Sequence, residues 1–430
     1  MPPEVGRRKV VAQALTVQRE SYRLSIRALS MGASVIQKLG LPFGKLDEAS
    51  LLEGARRATG LDDWGGEHFL EPMRRLLADV DSQGLTALAR ISTREVALKN
   101  LTNRLYLTEH FRKHPELNQI PVDRPVFILG FPRTGTTLLQ NLLSLSDQRR
   151  ALPFWEIATP VPVSEDPAED LRLRIRDINR KLGVAYFVVP EMEFVHEIRA
   201  ETHEECWPLL ANSFTVPNWE MSSRWTEYGR WLLSYDLVPT YQEYKQCLQV
   251  MADRTPGTGF VLKCPDHLST LDSLLEVFPD ACIVWTHRDP VDCIASYCSM
   301  VSLNWRLLYG RYDPMEIGPY IADRFLTWVE RAMEVRDRVG PERFFDVDFT
   351  GLVADPVDVV NQIVAHFGLA DIPGAEMERY LSRERSDERG KHVYSVARYG
   401  IAPGSVHDQF QDYIQRFSIP VRSAAARASE

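Results

Sequence analysis

The fold is decided by Val126-Phe127-Ile128-Leu129-Gly130-Phe131-Pro132-Arg133-Thr134-Gly135-Thr136-Thr137-Leu138-Leu139. Four consecutive apolar side chains, Val126 to Leu129, suit a short strand buried on both faces. Gly130 to Gly135 is a turn bounded by glycines, and Thr136 opens a helix with an apolar face. Strand, glycine-bounded loop and helix together form an anion cradle. The loop N–H groups converge on one point, and the helix dipole favours negative charge there.

The spacing G-x-x-x-x-G matches a P-loop, but Thr136 stands where that motif requires Lys. A P-loop NTPase places that Lys on the β- and γ-phosphates and holds Mg²⁺ partly through an acid on a second strand. This loop carries one cation, Arg133, followed by two hydroxyls. It suits the terminal phosphate of a nucleotide without a triphosphate, and needs no essential metal. A second segment lies 155 residues beyond Arg133. Ala281 to Thr286 reads as a strand ending in His287-Arg288-Asp289-Pro290, and a helix follows from Val291 to Met300. Arg288 offers a charged fork for phosphate. Pro290 sits near the first helical turn, where its missing N–H costs nothing. Ser296, eight residues after Arg288, is two turns along the same helix.

Phe131-Pro132-Arg133-Thr134-Gly135-Thr136-Thr137 resembles the 5′-phosphosulfate loop of the PAPS-dependent sulfotransferases, bacterial type (PAPS is 3′-phosphoadenosine 5′-phosphosulfate). The Arg288…Ser296 pair resembles the same family's 3′-phosphate site. The resemblance spans residues 121 to 405 in motif order and implies transfer of a sulfuryl group from PAPS to a hydroxyl, with release of PAP. It assigns Arg133, Thr134, Gly135, Thr136 and Thr137 to the 5′ end of the donor, and Arg288 and Ser296 to the 3′-phosphate. Gly390-Lys391-His392 resembles the family's closing loop near the C-terminus, which adds Lys391 or else is a solvated tail. Lys263 ends the strand Phe260-Val261-Leu262, as the lysine of a Lys-x-His motif does in the animal enzymes. Here the histidine, His267, falls two residues late. It is either the base or a cap on the helix that follows. Glu156, shortly past the first helix, resembles the carboxylate base of other members; its alternative is a structural ion pair. The run Glu201 to Trp207 either orients the acceptor or is a solvated face.

Strand and helix alternate from 126 to about 368, with expected strands at Val126–Leu129, Phe260–Lys263, Ala281–Thr286 and Phe344–Val347. Such alternation argues for an α/β fold: a P-loop-like parallel sheet flanked by helices, with ligands beyond the carboxyl ends of its strands. Asp355-Pro356 opens a helix that Gly368 ends. Residues 1–120 form a helical N-terminal extension, in which Leu85 to His114 has helical spacing. Residues 121–410 are the sulfotransferase-like α/β domain, with 165–250 a helical insertion over the acceptor site, and 411–430 form a C-terminal tail. Trp207, Trp219, Trp225, Trp231, Tyr228, Tyr235, Tyr241 and Tyr244 fall in the insertion. They line an apolar acceptor pocket or fill the insertion's own core.

A net charge of −9 argues against nucleic-acid binding, so an anionic nucleotide has to be met by local cations. The six cysteines lack C-x-x-C or zinc-finger spacing, which suggests thiols in a reducing cytoplasm. No run reaches the roughly 18 apolar residues of a membrane span. The expected partner is a small acceptor alcohol or phenol, apolar or lipid-like. Two other readings are a P-loop kinase or NTPase and a non-catalytic nucleotide-binding protein. The first lacks the Walker lysine. His287-Arg288-Asp289 also mimics a protein-kinase catalytic loop, but Ile294 stands at the metal-binding Asn position.

Overall fold

The computed structural model describes residues 45–188, 198–310, 312–386 and 396–422. At its centre is a five-stranded sheet in the order β2-β3-β1-β4-β5. The strands are β1 (Val126–Gly130), β2 (Arg149–Ala151), β3 (Gly259–Lys263), β4 (Cys282–His287) and β5 (Phe344–Asp348). Every pairing is parallel. The four expected strands are present to within one residue at each end. The fifth, β2, is not among them. It is a three-residue edge strand with two arginines, too short and too charged to show a period.

Alternate side chains of the sheet feed two apolar layers. Phe127, Leu129, Phe260, Leu262, Ile283 and Trp285 face one. Val126, Ile128, Val261, Val284 and Val347 face the other. A strand buried on both faces needs an uninterrupted apolar run, and β1 is buried at all five positions.

Helices α1 (Glu48–Thr59), α2 (Leu70–Ser82) and α3 (Ala87–Lys113) precede the sheet. The Asp47 side chain caps α1 and Thr86 caps α3, each accepting from an N–H in the first turn. These helices are tied into the rest of the chain by buried polar contacts. Arg104 and His68 both bond to the Glu243 carboxylate, which also accepts from Ser213. Asn103 donates to Asn212 and to the Ala158 carbonyl. One apolar cluster runs from Leu46 to Ile419.

Between β1 and β3 lie α4 (Thr136–Leu143), α5 (Phe154–Ala158), α6 (Pro167–Val188), α7 (Trp207–Ala211), α8 (Asn218–Ser223), α9 (Thr226–Leu232) and α10 (Val238–Asp253). Trp225, Tyr228, Tyr241 and Tyr244 are buried in the common core, while Trp207, Trp219, Trp231 and Tyr235 are half-buried against it. The aromatics of this region therefore serve packing first. After β3 come α11 (Leu271–Val277), α12 (Pro290–Tyr309), α13 (Ile317–Val339), α14 (Phe349–Ala354) and α15 (Pro356–Phe367). Asp355 caps α15 and Gly368, at φ 57°, ends it. Helix α14 has no counterpart among the expected elements; it fills the space between β5 and α15. Residues 411–422, expected as a tail, carry α16 (Gln411–Arg416). Tyr413 of that helix bonds to His287 at the end of β4, and Phe417 stacks on the same imidazole. Among the described residues no helix is long and apolar enough to cross a membrane.

Gly130 is fixed by space. Its φ is 139°, and a Cβ there would lie 2.2 Å from Thr286 Oγ1 and 2.6 Å from the Thr286 carbonyl. Gly130→Ala is expected to destabilise the protein by about 3 kcal/mol, from backbone strain and overpacking together. A urea unfolding midpoint equal to that of the parent would show that the two strand ends separate freely.

Candidate active site

The turn after β1 is shaped by three local constraints. Thr134, fully buried, donates its hydroxyl to the Phe131 carbonyl at 2.7 Å and lies 2.6 Å from the Thr286 hydroxyl. Its side chain is thus part of the scaffold, and only its N–H is left to face an anion. Arg133 takes a left-handed backbone, φ 71°, uncommon for a residue with a Cβ, and its side chain is exposed. Gly135, φ 84°, lets Leu352 of α14 approach so closely that a Cβ would sit 2.5 Å from it. Helix α4 starts at Thr136, which is buried, and Thr137, which is exposed.

Strands β1 and β4 are neighbours, so the ends of both motifs meet. Arg288 Nη1 donates to the carbonyl of Arg133 at 2.7 Å. The Arg288 guanidinium also lies over the ring of Phe349, 4.2 Å from its centroid, and 3.7 Å from Asp292. One of its five N–H donors therefore holds the strained turn, and the fork sits beside it. Ser296 is half-exposed on α12, two turns from the Asp289 cap and Pro290. Asp289 also accepts from the backbone N–H of Arg422 and lies 3.0 Å from His407, so the C-terminal segment braces this end of α12. Lys391 lies outside the described residues.

Lys263 ends β3, opposite Ile128 of β1, and its side chain is 2% exposed. Its Nζ lies 3.2 Å from Glu205 Oε1. The segment holding Glu205 is fixed by three contacts: Glu204 N–H to the Leu152 carbonyl, Cys206 N–H to the Lys263 carbonyl, and the Gln140 amide to the Glu204 carbonyl. The acidic run is thus threaded between the ends of β2 and β3 and the helix α4. Read from sequence, Glu205 is only part of a run that either orients the acceptor or is a solvated face, and is not singled out. The signal was present in Cys206-Trp207, the apolar pair that anchors the run.

Both base candidates have interior partners of their own. His267 is fully buried; its Nδ1 lies 2.7 Å from the Tyr241 hydroxyl and its Nε2 3.3 Å from Cys206 Sγ. It sits within the short 3₁₀ turn Pro265–Leu268 and caps nothing. Glu156 accepts a bidentate pair from Arg150, at 2.6 and 3.0 Å. That ion pair is the alternative reading of Glu156, on the edge-strand side of the sheet.

Beside Lys263, burial pushes the Asp266 carboxyl up to about 7; Glu205 adds to the rise, while Cys264, the Asn218 N–H and His267 oppose it. Further over, burial works against Asp346, but bonds from His287 and Arg336 hold its carboxyl at about 2.

Residues 125–373 match the profile of the sulfotransferase family. The chain belongs to that family. It is 28% identical, over 277 residues, to the ω-hydroxy-β-dihydromenaquinone-9 sulfotransferase Stf3 of Mycobacterium bovis and equally to that of Mycobacterium tuberculosis. That match covers 61% of this chain and spans 66% of the length of those relatives. Among solved structures, sulfotransferase STF1 from Mycobacterium tuberculosis H37Rv is 29% identical, with a TM-score of 0.75 over 85% of this chain and 98% of that one. Sulfotransferase STF9 from Mycobacterium avium is 27% identical, with a TM-score of 0.77 over 88% and 98%. The stretch that matches the family profile includes the loop, Lys263 and Arg288 of this sulfotransferase.

A carboxyl whose folded pKa is raised adds stability below its unfolded value and loses it as pH rises through the folded one. For Asp266 that window runs from about 4 to about 7. Asp266→Asn keeps an acceptor for the Asn218 N–H and removes the titration. Its unfolding free energy, relative to the parent, is expected to rise by on the order of 1.4 kcal/mol for each pH unit crossed inside this window. Parallel pH profiles for parent and variant would refute the assignment.

Proposed function

We propose that this sulfotransferase moves the sulfuryl group of PAPS to a hydroxyl on an apolar, lipid-like acceptor and releases PAP. The observation that carries the reading is the bond from Arg288 to the carbonyl of Arg133. It joins the two basic half-sites into one, as a donor with phosphate at both ends requires. The residues fit such a donor. The N–H groups of Thr134 and Gly135, the hydroxyls of Thr136 and Thr137, the start of α4 and the Arg133 side chain suit the 5′-phosphosulfate. Arg288 and Ser296, with Lys391, suit the 3′-phosphate. Lys263 supplies positive charge between the ends of β1 and β3, where charge develops on the leaving phosphate.

The acceptor class rests on the named relative, which acts on an ω-hydroxylated menaquinone derivative. The half-buried aromatics Trp207 and Trp219 are compatible with it. All six cysteines are unpaired and buried, in keeping with a reducing cytoplasm.

PAP is expected to raise the melting temperature without added metal, since a native-state ligand at 100 times its Kd stabilises by about 2.7 kcal/mol. Arg288→Ala is expected to abolish that shift, because the phosphate loses its fork and the turn loses its tie. A larger shift with ATP and Mg²⁺ than with PAP, in a thermal melt of the parent, would favour a phosphoryl-transfer enzyme instead.

A further inference from the structure

The acceptor hydroxyl must lose a proton as it attacks sulfur, and the groups around the carboxyl ends of β1 and β3 are few enough to sort. His267 and Glu156 have their polar atoms committed elsewhere. His287 is 3% exposed, with one ring nitrogen at Tyr413 and the other at Asp346. Asp266 is fully buried, accepting from the Asn218 N–H and from Cys264. Glu204 is buried with its N–H in the Leu152 contact. His203 reaches Asn141 of α4 through Nδ1 at 2.9 Å.

Glu205 differs from all of these. One oxygen meets Lys263, whose side chain is 2% exposed, while the Glu205 side chain is 24% exposed. It thus touches the interior cation and open space at once. Lys263 ends β3 opposite Ile128 of β1, so Glu205 lies at the carboxyl end of β3, next to the strand that feeds the anion loop.

We propose that Glu205 is the general base of this sulfotransferase and that Lys263 is its electrostatic partner. The inference rests on the sulfuryl-transfer reading above. The acceptor O–H proton passes to a Glu205 oxygen. The acceptor oxygen forms its bond to sulfur as the bond from sulfur to the 5′-phosphate oxygen breaks, and that electron pair stays on PAP. Protonating Glu205 removes the anionic partner of Lys263 at the moment the leaving phosphate gains charge. The ammonium is thereby freed for the phosphate without a second proton moving. The exposed edge of Glu205 then returns the proton to water. The reaction balances with acceptor and PAPS alone.

The test compares the full chain with Glu205→Gln, and with Glu201→Gln as a control in the same acidic run. Two readouts are used: PAP-induced thermal shift, and single-turnover transfer from labelled PAPS to water and to an ω-hydroxylated isoprenoid quinone. Reading transfer to water makes the comparison independent of the natural acceptor. Glu205→Gln is expected to keep the PAP shift and to lose about 10²- to 10⁴-fold in transfer to both, the usual size of a general-base contribution. Its residual rate should lose the acid limb of the pH profile, and Glu205→Asp should restore part of the loss. Glu201→Gln should match the parent. Transfer by Glu205→Gln within about threefold of the parent, alongside a retained PAP shift, would overturn the base assignment. A parent that shows no PAP shift would overturn the donor reading on which it rests.

Discussion

The contact on which the site depends is the one between Gly130 and Thr286. Two parallel strands from distant parts of the chain are pressed together where both end, so closely that one position admits no side chain. The Thr286 hydroxyl reaches the Leu129 carbonyl and the Thr134 hydroxyl, so the start of the anion loop is fastened to β4 as firmly as to its own strand. The next residues after Thr286 are His287 and Arg288. The placement of Arg288 at the loop follows from the register. A carboxyl-end ligand site in a parallel sheet usually gathers residues from several loops; here the pairing of β1 with β4 brings Arg288 to the turn that carries Arg133.

The second layer of the site is a set of close packings that tie strain to function. Arg133 adopts a backbone that costs free energy, and Arg288 holds its carbonyl while Phe349 supports the guanidinium from behind. The missing side chain of Gly135 gives Leu352 its place. Helix α14 thus backs the anion loop. Phe349 and Leu352 thus shape the turn from outside it.

The periodic and local features of the fold were legible in the sequence. Buried strands show as apolar runs, α3 as a helical spacing, and α15 through Asp355 and Gly368, because each signal is carried by neighbours in the chain. What escaped depends on neighbours in space. The strand β2 is stable only as an addition to β3. His267 was legible as a histidine after a strand-end lysine, but the 3₁₀ turn begun by Pro265 sends it inward to Tyr241. Glu156 pairs with Arg150, six residues earlier, through a fold-back that no local pattern signals. Glu205 has the converse history: its neighbours in sequence suggest solvent, and its neighbour in space is a buried lysine.

The ties between α3 and α10 carry an architectural lesson. Glu243 is buried, and although burial opposes its charge, Arg104, His68 and Ser213 keep it ionised. Arg104, on α3, and His68, in the turn before α2, both lie outside the stretch 125–373 that matches the family profile. A piece of the chain cut to that shared stretch would carry a charged carboxylate in its interior with the arginine and the histidine that contact it deleted. The common machinery of this enzyme is therefore not a detachable module. Its individual front end is part of its foundations, and grafting a foreign one onto it would require that arginine and histidine to be supplied anew.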